Sequence, residues 1–228
     1  MSVEVAAGVV LVVAPLWFNA TFALLGKRFE YPDILRRPTA EVLERFRAGG
    51  SSLILLWWTF MLSGLLLIAG VVLLGQVLGF AGIVPVAVTV GVLAGLVQML
   101  GLLRWVYAVP ALARAYTDPT LVPEQREIHA AIFRVMHQYL GVGVGEHLGY
   151  LFTGLWSVLI GIGVLEATAL PTWLGWPGIV IGAGLMVGSA EFLGPNEERG
   201  WALAGTAIPI LYIAWSLWLL AMGIALIV

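Results

Sequence analysis

The sequence predicts an all-α polytopic membrane protein, a bundle of six transmembrane helices with short amphipathic cytoplasmic helices. The first observation behind this prediction is composition. Of the 228 residues, 61% are hydrophobic and 11% are charged, whereas a soluble domain is about 45–50% apolar and about 25% charged. The second is segmentation, because apolar runs of roughly 20 residues, long enough to cross a bilayer as a helix, alternate with short polar loops.

Six apolar runs are long enough to span a membrane, and we expect them to form a single transmembrane helical domain over residues 1–228. The first run lacks the basic n-region of a signal peptide, so we expect it to be retained as a helix. The alternating pattern of a membrane β-barrel is not visible in the sequence. The predicted spans are about 3–25, 52–77, 83–109, 139–165, 172–193 and 202–226.

The basic residues predict an orientation. All eleven lysines and arginines lie at the same side of the predicted spans: six in the first loop, four at the end of the third span and in the loop after it, and one in the fifth loop. The positive-inside rule places these loops in the cytoplasm, so both termini face outward. A net charge of −2 gives no basic character that would suggest a nucleic-acid partner, and the absence of cysteine excludes disulfides and thiolate metal sites.

Two of the cytoplasmic loops contain predicted short helices. One starts at Thr39 and ends at Gly49 and Gly50, with apolar residues on one face. The other starts at Pro123, a favoured residue for a first helical position. Its apolar face has two possible roles. It either forms a binding surface for lipid or a partner protein, or it covers the cytoplasmic end of the bundle, and we favour the covering role. The residues of this face recur at helical spacing: Ile128, Ile132, Val135, Met136 and Tyr139.

The fourth span combines a glycine ridge with a polar stripe. Gly141, Gly145 and Gly149 recur every four residues, so they predict a smooth surface on which another helix packs closely. The polar stripe follows the same spacing and predicts one polar helix face. It consists of Glu146, Tyr150, Thr153 and Ser157. Further polar residues could extend this interior: Asn19, Thr59, Ser63, Gln98, Tyr212 and Ser216.

Charged residues inside the spans predict the candidate site. Arg104 lies near the inner end of the third span, Glu146 about 10 Å inside the fourth, and Glu191 near the inner end of the fifth. A charge at mid-bilayer costs roughly 2.5–3.5 kcal/mol, so such residues face the bundle and find partners. We therefore expect Arg104 to pair with Glu146, with His147 nearby and Glu191 joining them. Tyr150 and Thr153 complete the candidate ligand-binding or ion-pair residues.

Two other interpretations of these charges stay open. Arg104 and Glu191 could extend to the membrane surface, where long charged side chains reach water. An ion pair inside the membrane could also be purely structural and only determine which helices meet. The spacing of the three histidines, His129, His137 and His147, fits neither a zinc nor a haem site, so we expect no metal and no cofactor.

Three segments resemble a bacterial family of six-span integral membrane proteins, domain of unknown function four-three-eight-six (DUF4386). The most specific of them contains the string Gly-Glu-His-Leu-Gly-Tyr at residues 145–150. The resemblance covers most of the chain and implies a six-span fold and a location in the bacterial cytoplasmic membrane; it implies no activity. The segments are 103–113, 137–156 and 171–176.

Without a recognisable set of catalytic residues, the leading functional hypothesis is non-catalytic binding. A polar cleft near the cytoplasmic leaflet would hold a lipid-like or apolar ligand or a membrane partner, which includes a second copy of the chain. The alternative is a small-molecule or proton-coupled transporter that uses Glu146 and His147. A third hypothesis is a membrane-embedded enzyme that uses these two residues as acid and base on a lipid.

Overall fold

Six long helices form the body of the protein. The structure, a computed structural model, describes residues 2–228 with the exception of the Glu198 side chain. Throughout this described part the secondary structure is helical, without strands. Six helices are long and apolar enough to cross a membrane. The all-α, six-span prediction is therefore confirmed, and the chain is a multi-pass membrane protein.

The helices follow the predicted spans and add the pieces between them. A π-helix, His137–Leu148, joins α5 to α6, so that these two helices and the π-helix form one continuous rod. Short 3-10 turns occupy Asp33–Arg36, Thr172–Leu174 and Ser189–Phe192. The α-helices are α1 (Val3–Phe29), α2 (Thr39–Val77), α3 (Val84–Val106), α4 (Ala108–Tyr116), α5 (Pro123–Met136), α6 (Gly149–Glu166), α7 (Gly175–Gly188), α8 (Pro195–Arg199) and α9 (Ala202–Ile227).

The spans close into a ring. α1 packs against α2, α2 against α3, α3 against α6, α6 against α7 and α7 against α9, which returns to α1. α4 and α5 pack against each other and against α2 at the end of the ring where the basic loops lie. We call this the basic end. Because every span has a neighbour on each side, polar groups inside the ring are shielded from lipid.

A break at Gly50 divides α2 into an amphipathic and a transmembrane part. Gly50 has φ 58° and ψ −155°, a conformation that glycine adopts without a steric penalty. The helix before it buries Val42, Leu43 and Phe46 against the basic end. The predicted short helix and its glycine stop are therefore confirmed.

The helix of the third span is interrupted where the chain bends at Tyr107. We expected a continuous helix to residue 109, whereas α3 ends at Val106 and the separate helix α4 follows. Pro110 explains the bend: it has no N–H to donate to the carbonyl of Val106, and its ring would clash with that carbonyl in a continuous helix. Pro110 instead lies in the first turn of α4, where proline is tolerated.

The helix predicted to start at Pro123 is present, but its orientation differs from the expectation. Ala130 and Phe133 are its buried residues, and Phe133 packs against Trp105 with ring centroids 6.0 Å apart. The predicted covering face mostly points outward, because the larger Phe133 ring takes the inner position. We call the exposed residues the α5 strip; they expose between 42% and 70% of their surface and are Ile128, Ile132, Val135 and Tyr139.

Buried side chains form two separate clusters. The neutral core lies between the spans and contains Trp156, Trp215 and Trp218. The basic-end core is formed where α1, α2, α3, α4 and α5 meet, and contains aromatic residues that include Trp57 and Trp105. The candidate charged residues lie beside this second core.

Candidate functional site

Arg104 is buried at the edge of the basic-end core. Only 5% of its surface is exposed, so the guanidinium does not extend to the membrane surface. It donates a hydrogen bond to the Gly101 carbonyl, and its Nη2 lies 3.3 Å from His137 Nδ1. Its Cζ lies 5.2 Å from the centre of the Trp105 ring, within range of a cation–π interaction.

Three nitrogen donors next to one another have no acceptor within the part of the chain that the structure describes. They are Arg104 Nε, Trp57 Nε1 and Trp105 Nε1. The two indole rings are stacked with centroids 4.6 Å apart. A buried donor without an acceptor costs about 1–3 kcal/mol. The basic-end core therefore has hydrogen-bond donors for which its own described residues supply no acceptor.

The predicted direct ion pair between Arg104 and Glu146 is not formed. Among the described residues, the ion pairs do not include one between these two side chains. The glycine face of the π-helix lies against the guanidinium, and His137 takes the position beside it. The Glu146 carboxylate interacts with the Arg104 charge from a longer distance.

Glu146 lies in a mixed acidic and aromatic environment. Its side chain is half-buried and makes no hydrogen bond in the described structure. Its charge interacts with those of Arg104, Glu191 and Arg36. Tyr150 lies alongside, and its ring is 5.3 Å from that of Tyr212 on α9. This carboxylate is therefore free to accept a proton, or to accept a hydrogen bond from another molecule.

His147 does not join Arg104. Its Nδ1 lies 2.9 Å from the carbonyl oxygen of Ser189, in the turn that follows α7. The histidine beside Arg104 is His137, which sequence reasoning did not select. A usable signal existed: His137 comes where the amphipathic helix from Pro123 runs into the fourth span, at the membrane depth of Arg104.

The polar stripe of the fourth span divides between two neighbouring helices. Thr153 accepts a hydrogen bond from Gln98 of α3 at 3.0 Å. Ser157 accepts one from the Trp215 indole of α9 at 2.9 Å. These residues hold helices together. The other predicted polar residues act similarly or bond within their own helix: Asn19 donates to Ser216, while Thr59 and Ser63 donate to carbonyls of α2.

The three ridge glycines face α3. A Cβ on Gly145 would lie 3.2 Å from Gly101 Cα, and one on Gly149 would lie 3.3 Å from Gln98 Cγ. A Cβ on Gly141 would lie 2.6 Å from Arg104 Nη2. The ridge thus brings the π-helix directly onto α3 and leaves the space that the guanidinium fills.

A surface cleft of about 230 Å³ has His137, the hydrogen-bond partner of this buried arginine, in its wall, and we call it the His137 cleft. The Phe133 and His137 rings stack inside it, with centroids 5.7 Å apart. Arg37 in its wall is paired with Glu30 and Glu41, and Arg134 is paired with Glu127. The cleft is lined by Leu35, Arg37, Thr39, Val42, Phe133, Arg134, His137 and Gln138.

Comparison with known proteins gives one match. The sequence profile of a family described as a domain of unknown function (DUF4386) matches residues 6–223. No curated protein and no solved structure matches the chain.

Proposed function

We propose that this chain, which belongs to the DUF4386 family, binds an amphiphilic, lipid-like molecule whose headgroup enters the His137 cleft. One observation carries the proposal: buried Arg104 has a donor without an acceptor, and its hydrogen-bond partner His137 opens onto the cleft. A guanidinium with no carboxylate at ion-pair distance among the described residues favours an acceptor-rich group such as phosphate or carboxylate.

The shape of the cleft supports a headgroup rather than a whole lipid. Its volume of about 230 Å³ is below the roughly 300–1,000 Å³ of pockets that enclose a drug-sized ligand. Thr39 and Gln138 supply polar contacts, while Leu35 and Val42 supply apolar ones. The mixture suits the boundary between a headgroup and its first methylene groups.

The α5 strip provides a surface for the remaining hydrocarbon. Val135 and Tyr139 are neighbours in sequence of the cleft residues Arg134 and Gln138, and both are about 70% exposed. An acyl chain that leaves the cleft would lie against this strip and bury apolar surface at about 25 cal/mol per Å². A membrane partner or a second copy of the chain would contact the α5 strip without entering the His137 cleft. Substitutions in the cleft therefore distinguish a bound lipid from a bound protein.

The charge distribution supports a location in the cytoplasmic leaflet of a bacterial plasma membrane. The eleven basic residues lie in the loops, short helices and span ends of the basic end, and the positive-inside rule places that end in the cytoplasm. Both termini are then outside. Reporter fusions at the two termini test this orientation, and reporters active in the cytoplasm would contradict it.

Native mass spectrometry of the purified protein tests lipid binding. The protein is mixed with defined phospholipids, and the fraction that retains a lipid is compared between wild type, His137→Ala and Gln138→Ala. We expect retention to fall several-fold in His137→Ala, because the variant removes the link between the cleft and Arg104, and less in Gln138→Ala. Arg28→Gln is the matched control, since Arg28 is exposed and lies outside the cleft.

Equal lipid retention in wild type and His137→Ala would contradict the proposal. An equal fall in His137→Ala and Arg28→Gln would also contradict it, because general charge attraction would then explain binding. A change in dimer fraction without any bound lipid would favour a protein partner on the α5 strip.

Proton-coupled transport is a second candidate, favoured by the Glu146 carboxylate. This group is half-buried in the π-helix of the fourth span and has no hydrogen-bond partner among the described side chains. Intramembrane carboxylates with these properties serve in proton relays. Proton flux into liposomes should then fall in Glu146→Gln and persist in the control Glu166→Gln, since Glu166 ends α6 away from the basic end. Equal flux in empty liposomes and in those containing wild-type protein would exclude this function.

A further inference from the structure

We propose that a second cleft, between the Gly50 break of α2 and helix α4, binds the phosphate of an anionic membrane lipid. Its volume is about 130 Å³, and it shares no lining residue with the His137 cleft. The proposal therefore does not depend on the proposed function. We call it the Arg47–Arg114 cleft; it is lined by Phe46, Arg47, Gly50, Ser51, Ile54, Pro110, Ala113 and Arg114.

Two cations from different helices meet in this cleft without a counter-charge. Arg47 and Arg114 are exposed, and neither forms an ion pair or donates a side-chain hydrogen bond within the described structure. No acidic residue lines the cleft. By contrast Arg45, two residues before Arg47, is paired with Glu30 and Glu41. The like charges of the two guanidinium groups repel each other, so an anion bound in the cleft would offset this repulsion.

The break at Gly50 adds further donors on the same side. A new helix starts at Ser51, so its first N–H groups and the positive end of its dipole lie at the cleft, whose wall includes Gly50, Ser51 and Ile54. Guanidinium groups together with the start of a helix form a favourable environment for phosphate oxygens. Phosphate is the ligand class that matches both features.

The depth of the cleft indicates a lipid as the source of the phosphate. Trp58 and Tyr107 expose 41% and 70% of their surface at the same end of the spans. Exposed Trp and Tyr side chains of membrane proteins concentrate at the level of the headgroups. The level of Arg47 and Arg114 at this end of the spans therefore matches that of the phosphates of a surrounding bilayer.

The test compares two double variants that lose the same charge. R47Q/R114Q removes the cations of the cleft, and K27Q/R28Q removes two exposed cations that lie outside it at the same end of the protein. Native mass spectrometry and thermal unfolding are measured with short-chain phosphatidylglycerol, phosphatidylcholine and inorganic phosphate. We expect the apparent affinity for phosphatidylglycerol to fall about tenfold or more in R47Q/R114Q, because two charge-assisted contacts are lost. K27Q/R28Q should stay within about twofold of wild type.

Three results would overturn the proposal. Unchanged retention of phosphatidylglycerol in R47Q/R114Q would show that the cleft does not bind it. Equal losses in both double variants would show general attraction between a basic surface and an anionic lipid. Stabilisation of wild type by inorganic phosphate, with no retention of phosphatidylglycerol, would show that the source is free phosphate rather than a membrane lipid.

Discussion

The two buried cores of this protein use tryptophan differently. In the neutral core, Trp215 donates to Ser157 Oγ at 2.9 Å and Trp218 donates to the Leu174 carbonyl at 2.8 Å. In the basic-end core, the indoles of Trp57 and Trp105 have no acceptor among the described residues. Trp156 is the exception in the neutral core, since its indole is also without an acceptor.

This difference is consistent with a structural role for the neutral core and with the binding role that we propose beside the basic-end core. Hydrogen bonds between helices fix the arrangement of the neutral core, at about 0.6 kcal/mol each on average in a membrane. The basic-end core instead leaves Arg104 and two indoles with unused donors and lies next to an open cleft. Natural proteins tolerate such local inconsistency mainly at functional sites, where a ligand supplies what the fold does not.

Glycine packs backbone against backbone in both regions, at Gly101 and Gly145 as well as between α6 and α7, and beside Arg104 it has a second use. α6 and α7 pack backbone to backbone, so that a Cβ on Gly154 would lie 2.5 Å from the Gly182 carbonyl oxygen, and one on Gly175 would lie 2.5 Å from that of Gly161. At the basic end, the hydrogen of Gly141 leaves space for the flexible end of a side chain, the Arg104 guanidinium. Backbone cannot yield to an added side chain, whereas the end of an arginine can.

The largest expected loss of stability is in the variant Gly154→Leu. The new side chain would meet the Gly182 carbonyl oxygen and, at 2.8 Å, the Met186 backbone nitrogen. Overpacking a core costs about 1–3 kcal/mol, and more when backbone must move, so we expect most of the folded protein to be lost. The measurement is the fraction that elutes as a single species after detergent extraction, together with its melting temperature.

Gly205→Leu is the control for this prediction. Gly205 is an exposed position of α9, where the nearest atom to a Cβ is Glu191 Oε1 at 3.9 Å. The same change of residue should be tolerated there. If both variants extracted and melted alike, backbone contact between α6 and α7 would not be what holds the neutral core together.

A smaller and more selective effect is expected from Gly141→Ala at the basic end. The added methyl group would displace the Arg104 guanidinium and approach His137 Nδ1, 3.1 Å away. Because the arginine end can move, we expect a change in stability below about 1 kcal/mol. Lipid retention in native mass spectrometry should fall several-fold, as in His137→Ala, because the link between Arg104 and the His137 cleft is disturbed.

Gly143→Ala is the matched control within the same π-helix. A Cβ there would lie 3.6 Å from the Gln138 carbonyl oxygen, which is ordinary contact. Wild-type retention in Gly143→Ala with reduced retention in Gly141→Ala would support the proposal. Full retention in both variants would mean that the position of the guanidinium does not matter to the ligand.

Phenylalanine substitutions test the tryptophan comparison directly. Trp218→Phe removes ring volume and the hydrogen bond to Leu174, whereas Trp105→Phe removes similar volume and no hydrogen bond. Trp218→Phe should therefore be the more destabilising by roughly 0.6–1.7 kcal/mol. Melting temperatures in one detergent check this order, and a larger loss in Trp105→Phe would show that its stacking on Trp57 outweighs the missing acceptor.

Most of the fold was predictable because it depends on local composition. A run of about 20 apolar residues crosses a membrane whatever its neighbours are, and the stop at Gly50 depends on glycine itself. The bend at Tyr107 was missed although Pro110 carried the signal. These elements need no knowledge of which helices touch.

The candidate site was less predictable because it depends on rotation and register. An α-helix and a π-helix can both keep glycines four residues apart on nearly one face, so spacing did not distinguish them. The π-helix turns Gly141 and His137 toward Arg104 in place of Glu146. The Arg104–Glu146 pair was therefore wrong as a direct contact. The His137 cleft had no sequence signature, because its wall combines residues of α2, α5, the start of the π-helix and the segment around the Asp33–Arg36 turn.

The smallest expected effect concerns the exposed ion pairs of the basic end. Arg45, which bonds to the Glu30 carboxylate, and Arg37 nearby hold the pKa of Glu30 below its ordinary value of 4.5. A lowered pKa in the folded state adds stability above the pKa of the unfolded state, and this stability is lost as the pH falls through the folded value. Glu30→Gln should thus lower the melting temperature slightly at about pH 7 and less at about pH 3. Glu44→Gln is the control, since Glu44 is exposed on α2 and forms no ion pair within the described structure; its effect should not depend on pH in this way. If Glu30→Gln gave the same shift of melting temperature at both pH values, the charge of Glu30 would contribute nothing to stability. The exposed ion pairs of the basic end would then have no effect on folding that depends on charge.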